Sequence, residues 1–242
     1  PIILLLKLAN ALVGPLSLIY NSLLSVGKLS SIWKTAVVTP FYKKGPSSDP
    51  ANYRPIAQTS IFCKLMERVI VAKVTEYLLK NSMISQHQHG FLSRRSTATN
   101  LLECLSDWTM AIDSSQSKAI IYIDFMRAFD TVSSQKLVHK LKKCGITGNL
   151  LKFMSSFLSD RSQRTRVGRS VSESIRLTSG TVQGSCLGPI LFLTFGLPRG
   201  GGHMTPLVVF REYFFSLITL DHVFMHSCSP PHLLQNQQLV EK

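Results

Sequence analysis

Acidic residues are scarce in this chain. Thirteen Asp and Glu stand against 27 Lys and Arg in 242 residues, a formal charge of +14. That imbalance points to a polyanionic partner, nucleic acid first; a basic surface with no dedicated partner is the plainer alternative. Cysteine is little used. Cys63, Cys104, Cys144, Cys186 and Cys228 are widely spaced, odd in number and without a Cys-x-x-Cys pair. This argues against a disulfide framework and suits a reducing, intracellular compartment, nuclear or cytoplasmic. Long apolar runs are also missing. The opening stretch is interrupted by Lys7, Asn10, Gly14 and Pro15, whereas a membrane span needs about 20 mostly apolar residues. It therefore reads as a buried helix, with no signal peptide and no membrane partner. No Met opens the chain, so Pro1 is not expected to be a natural start. No internal repeat is visible. What is present is ample apolar material: 45% hydrophobic and 17% charged residues allow one large folded domain or two small ones.

Periodicity places the elements. Residues Leu8 to Val26 read as an apolar helix with a break at Gly14-Pro15. The β-branched run Thr35–Thr39 reads as a strand, and Lys43–Pro50 as a loop from its Gly, Pro and Ser content. Ser60 is a candidate cap for a helix to about Lys80, with Ile61, Leu65, Met66, Val69, Ile70 and Val74 at helical spacing. Another helix runs from near Thr97 to Ile112, with Leu101, Leu102, Leu105 and Trp108 expected inward. Ala119–Ile123 is a continuous apolar run ending in Asp124, the pattern of a buried central strand. Helices follow at Ser134–Lys143, stopped by Gly145, and at Gly148–Leu158. Two polar strands near Gln163–Val167 and Glu173–Leu177 are expected to form a hairpin across Gly168. Arg161, Arg164, Arg166, Arg169 and Arg176 crowd this region with only Glu173 against them. Alternate arginines on a hairpin line one face, which suits phosphate contacts; a solvated edge hairpin kept soluble by charge is the other reading. From Phe195 onward the periodicity is lost.

A carboxylate at the end of a buried strand is well placed to hold a metal, because the sheet fixes it and the strand end opens onto a cleft. Two Mg²⁺ ions about 3.5–4 Å apart, clamping attacking and leaving oxygens, need such a group, and Mg²⁺ prefers hard oxygen ligands. Asp124 fits that description, although most such residues cap a turn. For Asp130 the expected role is capping the helix after Thr131.

The segment Ile123-Asp124-Phe125-Met126-Arg127-Ala128-Phe129-Asp130-Thr131-Val132 resembles the first catalytic motif of LINE-type reverse transcriptases, especially the jockey-like and chicken-repeat-like groups. Further blocks resemble the same family in order along the chain. Trp33–Gly45 resembles the early fingers strand and its basic loop, and Asn52-Tyr53-Arg54-Pro55-Ile56 the signature after it. Gln88-His89-Gly90-Phe91 with Ser96-Thr97 and Asn100-Leu101 resembles the next block. Arg161–Val167 and Ser179–Phe192 resemble the second palm motif and its approach. The resemblance implies an α+β right-hand polymerase fold, with fingers plus an incomplete palm. Residues 1–117 would be fingers with an N-terminal helix, 118–192 a partial palm, and 193–242 an unrelated, poorly ordered tail. It further implies an RNA template, a DNA primer, a dNTP and Mg²⁺, the primer 3′-OH attacking the α-phosphate. Asp124 would be the catalytic metal ligand and Phe129 the steric gate against a 2′-OH. Lys43, Lys44 and Arg54 would neutralise the triphosphate, and Gln183 and Gly184 would form the turn touching the nucleotide. Nothing in the resemblance sets an oligomeric state.

Two departures stand out. Val182 precedes Gln183 where the family has Pro, which would fix φ. The family's third palm motif, with its two adjacent aspartates, has no counterpart: the chain contains no Asp-Asp pair, and after Phe192 its acidic residues are Glu212, Asp221 and Glu241. The sequence therefore predicts a reverse transcriptase fragment without activity, with a non-catalytic RNA- or hybrid-binding remnant and a functionless relic as alternatives. His222, His226, Cys228 and His232 have zinc-like spacing, but the unpatterned tail around them favours unrelated sequence.

Overall fold

The computed structural model describes residues 2–117, 120, 128–182 and 184–197. The chain divides into two compact units, one of Pro1–Ile84 with Arg127–Gly201 and one of Ser85–Met126 with Gly202–Lys242. Mixed helix and sheet make the class α+β, as the sequence implied.

In the first unit the described elements are helices α1 (Ile2–Lys7) and α2 (Ala9–Val26), strands β1 (Thr35–Tyr42) and β2 (Tyr53–Gln58), and helix α3 (Ile61–Lys80). The second unit contributes α4 (Thr97–Asp113). The first unit then resumes with α5 (Ser134–Lys143), α6 (Gly148–Leu158), β3 (Ser162–Val167), β4 (Ser170–Val171), β5 (Ile175–Arg176) and α7 (Leu187–Gly196).

The five strands form one sheet. β1 is its centre, antiparallel to β2 and parallel to β3, and β3 carries β4 and β5 antiparallel. Two prolines sit in this ladder opposite each other, Pro40 on β1 and Pro55 on β2. Neither has an N–H to give, so the pair fits only where an antiparallel ladder makes no bond. On its other side β1 pairs with β3 only over Thr35–Val38, so Pro40 interrupts nothing there. One sheet face is buried at Ala36, Val38 and Ala57. The expected hairpin across Gly168 is present, Val167 facing Ser170. Gly168, at φ +59°, occupies the first loop position, where a II′ turn requires glycine. Its return strand is split into β4 and β5.

Helices α3, α5, α6 and α7 supply the rest of this unit's core. Met66, Leu78, Leu137, Leu141, Phe153, Met154, Phe157, Leu187 and Leu191 are fully buried, each contributing on the order of 1.5–3 kcal/mol. α5 and α6 match their expected limits, and Gly145 stops α5 with φ +83°. The cap of α5 is Ser133, whose Oγ accepts from Lys136 N at 3.4 Å; Asp130 lies too far ahead of the helix to serve. α7 continues past the boundary expected at Phe192, with Leu193 and Thr194 buried.

Three expectations are corrected. α2 does not break at Gly14-Pro15; Pro15 lies inside a continuous helix, and the break falls at Leu8. Nor is α2 buried. It is long and apolar enough to cross a membrane by length and composition, and none of its residues is buried. Its polar and ring contacts come from its C-terminal half: Tyr20 donates to Phe62 O at 2.8 Å and packs edge-on to Trp33, and Asn149 donates to Ser25 O at 2.7 Å. In the second unit α4 starts at Thr97 as expected, but Leu101, Leu102 and Leu105 are exposed. The helix is held instead by a local capping box, Ser96 and Thr99 each accepting from the other's N–H. Of the strand expected at Ala119–Ile123 the structure describes Ile120, which is exposed and in no strand; residues 119 and 121–123, and the tail from 198 onward, lie outside the described residues.

Candidate nucleotide and nucleic-acid site

Lys43, Lys44 and Arg54 are brought together by the β1–β2 hairpin. Arg54 faces Phe41 across the ladder, and Lys43 N donates to Asn52 O at 2.9 Å where the loop opens. The loop is built by its own side chains. Asn52 donates to Pro46 O at 2.9 Å, Tyr53 to Ser47 O at 2.8 Å and Tyr42 to Gly45 O, while Asp49 accepts from Ala51 N. Gly45 adopts φ +92°, a left-handed position that glycine takes without strain. Three cations therefore project from one ordered hairpin end, where Lys43 and Lys44 are exposed.

Gly184 meets the same hairpin further along. Its φ is +84°, and a Cβ there would collide with the Ala57 carbonyl oxygen on β2. Only glycine allows this approach. The turn ahead of it lacks the proline of the family pattern, but Val182 O accepts from Ser185 N at 3.1 Å and Ser185 Oγ at 2.8 Å. These two bonds hold the turn that a fixed φ would otherwise hold. Upstream, residues 179–181 lie along the Phe129 segment: Ser179 Oγ donates to Asp130 O at 3.0 Å, Gly180 N to Val132 O at 2.9 Å and Thr181 N to Phe129 O at 2.8 Å. Phe129 is half-buried and stacks on Phe192 of α7, centroids 4.8 Å apart and planes at 29°. The described residues thus join Phe129 to Gly184 and Gly184 to β2 through one connected strap. Asp124 and Gln183 lie outside the described residues.

The arginine cluster divides. Arg164, Arg166 and Arg169 are exposed, Arg164 and Arg166 on one face of β3. Arg161 is not available to phosphate: it is 3% exposed, donates to Phe157 O at 3.0 Å and Trp33 O at 3.2 Å, and lies over the Phe157 ring. It sits one residue before β3, where the chain turns under α6. Burial pushes its guanidinium pKa down, opposed by Cys63 and Glu67 nearby. Arg176 pairs with Asp160 at 2.7 Å.

Two residues carry weight that the motifs did not announce. Glu67, 1% exposed on α3, accepts from Cys186 N at 2.6 Å and Leu187 N at 3.0 Å, so its carboxylate caps α7. Cys63 donates to its other oxygen at 3.1 Å. Burial raises the Glu67 pKa, against the lowering effect of Leu187 N, Cys63 and Cys186 N; burial and the adjacent Glu67 likewise push the Cys63 thiol up. The signal was there, since Glu67 follows Cys63 by four positions and precedes Ile70 by three on the apolar stripe of α3. The second is Phe192, which backs Phe129. In the other unit, His87 and His89 both pair with Glu103, His89 Nε2 at 2.5 Å, and His89 Nδ1 meets Thr99 Oγ1 at 2.9 Å. These contacts fix the segment that follows Gln86.

Residues 42–196 match the family described as reverse transcriptase (RNA-dependent DNA polymerase). This chain belongs to the reverse transcriptase family. Its relatives place it among the domains of LINE-type, non-LTR elements. It is 33% identical over 181 residues to the "Probable RNA-directed DNA polymerase from transposon BS" of Drosophila melanogaster, covering 74% of this chain and 20% of that protein. It is 29% identical over 181 residues to the RNA-directed DNA polymerase from mobile element jockey of the same species, with the same coverage. It is 28% identical over 171 residues to the Pol polyprotein from the type-1 element R2 of Popillia japonica, covering 69% of this chain and 23% of that protein. The chain thus spans about a fifth of the length of these relatives. The family's description names DNA synthesis that depends on RNA. Among the described residues no group of three or more His, Cys, Asp or Glu could hold a metal ion, so these residues alone do not make a Mg²⁺ site.

Proposed function

We propose that this chain is the fingers (1–117) and partial palm (118–192) of a LINE-type RNA-directed DNA polymerase, and that it binds RNA template, DNA primer and dNTP without extending the primer. The observation that carries the binding half is the connected strap running from Phe129 through Gly184 to the Arg54 hairpin, joining family motifs far apart in sequence. In this reading Lys43, Lys44 and Arg54 meet the triphosphate, and the fork of Arg54 bridges two of its oxygens. Phe129 excludes a 2′-OH by the bulk of its ring, and Gly184 lets backbone approach the nucleotide where a side chain would block it. Arg164, Arg166 and Arg169 contact phosphates without reading sequence. Asp124 is the metal ligand, and bound Mg²⁺ would stabilise charge developing on the transferred phosphate.

The catalytic half rests on the missing Asp-Asp pair, since one strong carboxylate does not hold two ions in register. Fluorescence anisotropy with an RNA–DNA primer-template, in the same mixtures as a primer-extension assay, tests both halves. Binding should weaken steeply with salt as phosphate contacts release counterions, and no product should exceed that of Asp124→Ala. Extension above that control overturns the inactivity, with Asp221 the first residue to test. Absence of salt-sensitive binding favours the relic.

A further inference from the structure

The turn that carries Gly184 and the helix that carries Phe192 are one stretch of chain, and both β2 and α3 hold it. At one end the Gly184 backbone lies against the Ala57 carbonyl of β2. Two residues on, Cys186 N donates to Glu67 of α3 at 2.6 Å and Leu187 N at 3.0 Å, both to the same carboxylate oxygen. The other oxygen accepts from the Cys63 thiol at 3.1 Å. Ala57 and Glu67 belong to consecutive elements, and Arg54 precedes Ala57 on the same strand.

The bonds made by Ser185 stay inside the turn. Its Oγ donates to Val182 O at 2.8 Å and accepts from Gly188 N at 2.9 Å. They shape the turn without fixing where it sits. The bonds of Glu67 are of another kind, because they tie the start of α7 to a separate, buried helix. Glu67 is itself buried, so its carboxylate has little room to follow a wandering partner. Phe192 lies five residues beyond Leu187, about 7.5 Å along the helix axis. A helix carries a displacement of its first turn along its length. Phe192 therefore moves with the start of α7, and Phe192 is the ring stacked on Phe129 at 4.8 Å.

We propose that Glu67 is a positioning residue for the nucleotide site: it sets where α7 begins, and so where Phe192 backs the Phe129 ring and where the Gly184 turn lies. The inference rests on the polymerase reading and adds to its sugar selectivity a residue outside the motifs that announced the site. A ring excludes a 2′-OH only while it cannot retreat. Once its backing has shifted, Phe129 yields to the extra oxygen, and a ribonucleotide competes better. The acceptor oxygen does this work, not the charge, because what it holds is a pair of backbone N–H groups. A glutamine, with one carbonyl oxygen for the two donors, therefore serves in its place.

Competition binding of dGTP and GTP to the whole chain on an RNA–DNA primer-template tests it, with the folded fraction followed by circular dichroism in the same samples. Lost stability alone lowers the folded fraction, which weakens both nucleotides by one factor and leaves their ratio unchanged. Glu67→Ala should shrink the dGTP-over-GTP preference by up to about 10-fold, the worth of the aromatic pair it disturbs. Glu67→Gln should keep the wild-type ratio. Met154→Ala is the control, because it empties a fully buried site on α6; it should lose stability and keep the ratio. Should Glu67→Ala not fold, Glu67→Asp decides, since it withdraws the acceptor by about one C–C bond, ~1.5 Å, and should also shrink the ratio. An unchanged ratio in the folded alanine or aspartate variant shows that packing alone places α7. An equal loss in Met154→Ala or in Glu67→Gln likewise overturns the positioning role, and in each case the polymerase reading stands. If the wild-type chain binds neither nucleotide, both fall.

Discussion

Replacing Glu67 should do more damage than replacing any exposed charge. In Glu67→Ala the N–H groups of Cys186 and Leu187, held at 2.6 and 3.0 Å, lose their acceptor in a buried place. The other side chain at this end, Ser185, accepts from Gly188 N at 2.9 Å and not from these two groups. Each orphaned donor costs about 1–3 kcal/mol, and the vacated volume adds to that, so the loss should reach about 3–5 kcal/mol. With a urea m-value near 2 kcal/mol/M, that moves the midpoint by roughly 2 M. Glu67→Gln keeps one oxygen able to accept both bonds and should lose only about 1–2 kcal/mol. The comparison has a pH signature. Burial holds the Glu67 pKa above its ordinary 4.5, so folding favours the neutral acid. That contribution is complete below pH 4.5 and is lost as pH rises through the folded value. The advantage of wild type over Glu67→Gln should therefore be largest near pH 4.5 and narrow toward pH 8. Urea melts of the three proteins across that range read this directly. Alanine and glutamine variants of equal stability would refute the acceptor role, and a gap that widens with pH would refute the buried-acid argument.

Other changes follow from the same geometry. Gly184→Ala forces a Cβ into the Ala57 carbonyl at a positive φ, and should cost at least ~2 kcal/mol in a thermal melt and reduce dNTP binding in a titration. Arg161→Ala should destabilise the fold by about 2–4 kcal/mol, since two buried carbonyls lose their donor, yet leave the RNA salt slope untouched; a lower slope would return Arg161 to the surface. Phe192→Ala removes the ring stacked on Phe129 and should shrink the dGTP-over-GTP preference in competition binding by up to about 10-fold, the worth of one aromatic pair, while an unchanged ratio would show that Phe129 needs no backing.

Much of the architecture was legible because it rests on local signals. The limits of α3, α5 and α6, the glycine stop at Gly145 and the turn at Gly168 all follow from short-range patterns, whereas Ile61, Leu65 and Val69 of the α3 stripe are exposed. The expectations that failed depended on what lies on the other side. Leu101, Leu102 and Leu105 have helical spacing, but spacing does not tell which face finds a partner, and α4 is secured at its N-terminus instead. Pro15 marked a break by rule, yet a proline inside a helix removes one i→i−4 bond and can bend the helix without ending it, and α2 runs on through it. Arg161 shares its residue type and neighbourhood with Arg164, and only the parity of the strand and the carbonyls of Phe157 and Trp33 set it inward. The parallel pairing of β1 with β3, across more than a hundred residues of chain, left no mark on either strand. It is that pairing which places Arg164 on the same face as Arg54.

The central claim is that separated motifs act as one nucleotide and nucleic-acid site. Amide hydrogen exchange, with and without an RNA–DNA primer-template and its matched dNTP, tests it most directly. Residues 43–58, 128–132 and 179–187 should gain protection together on adding the dNTP to the primer-template complex, and a mismatched dNTP should give little. Protection limited to the β3–β4 hairpin, with those three segments unchanged, would contradict it.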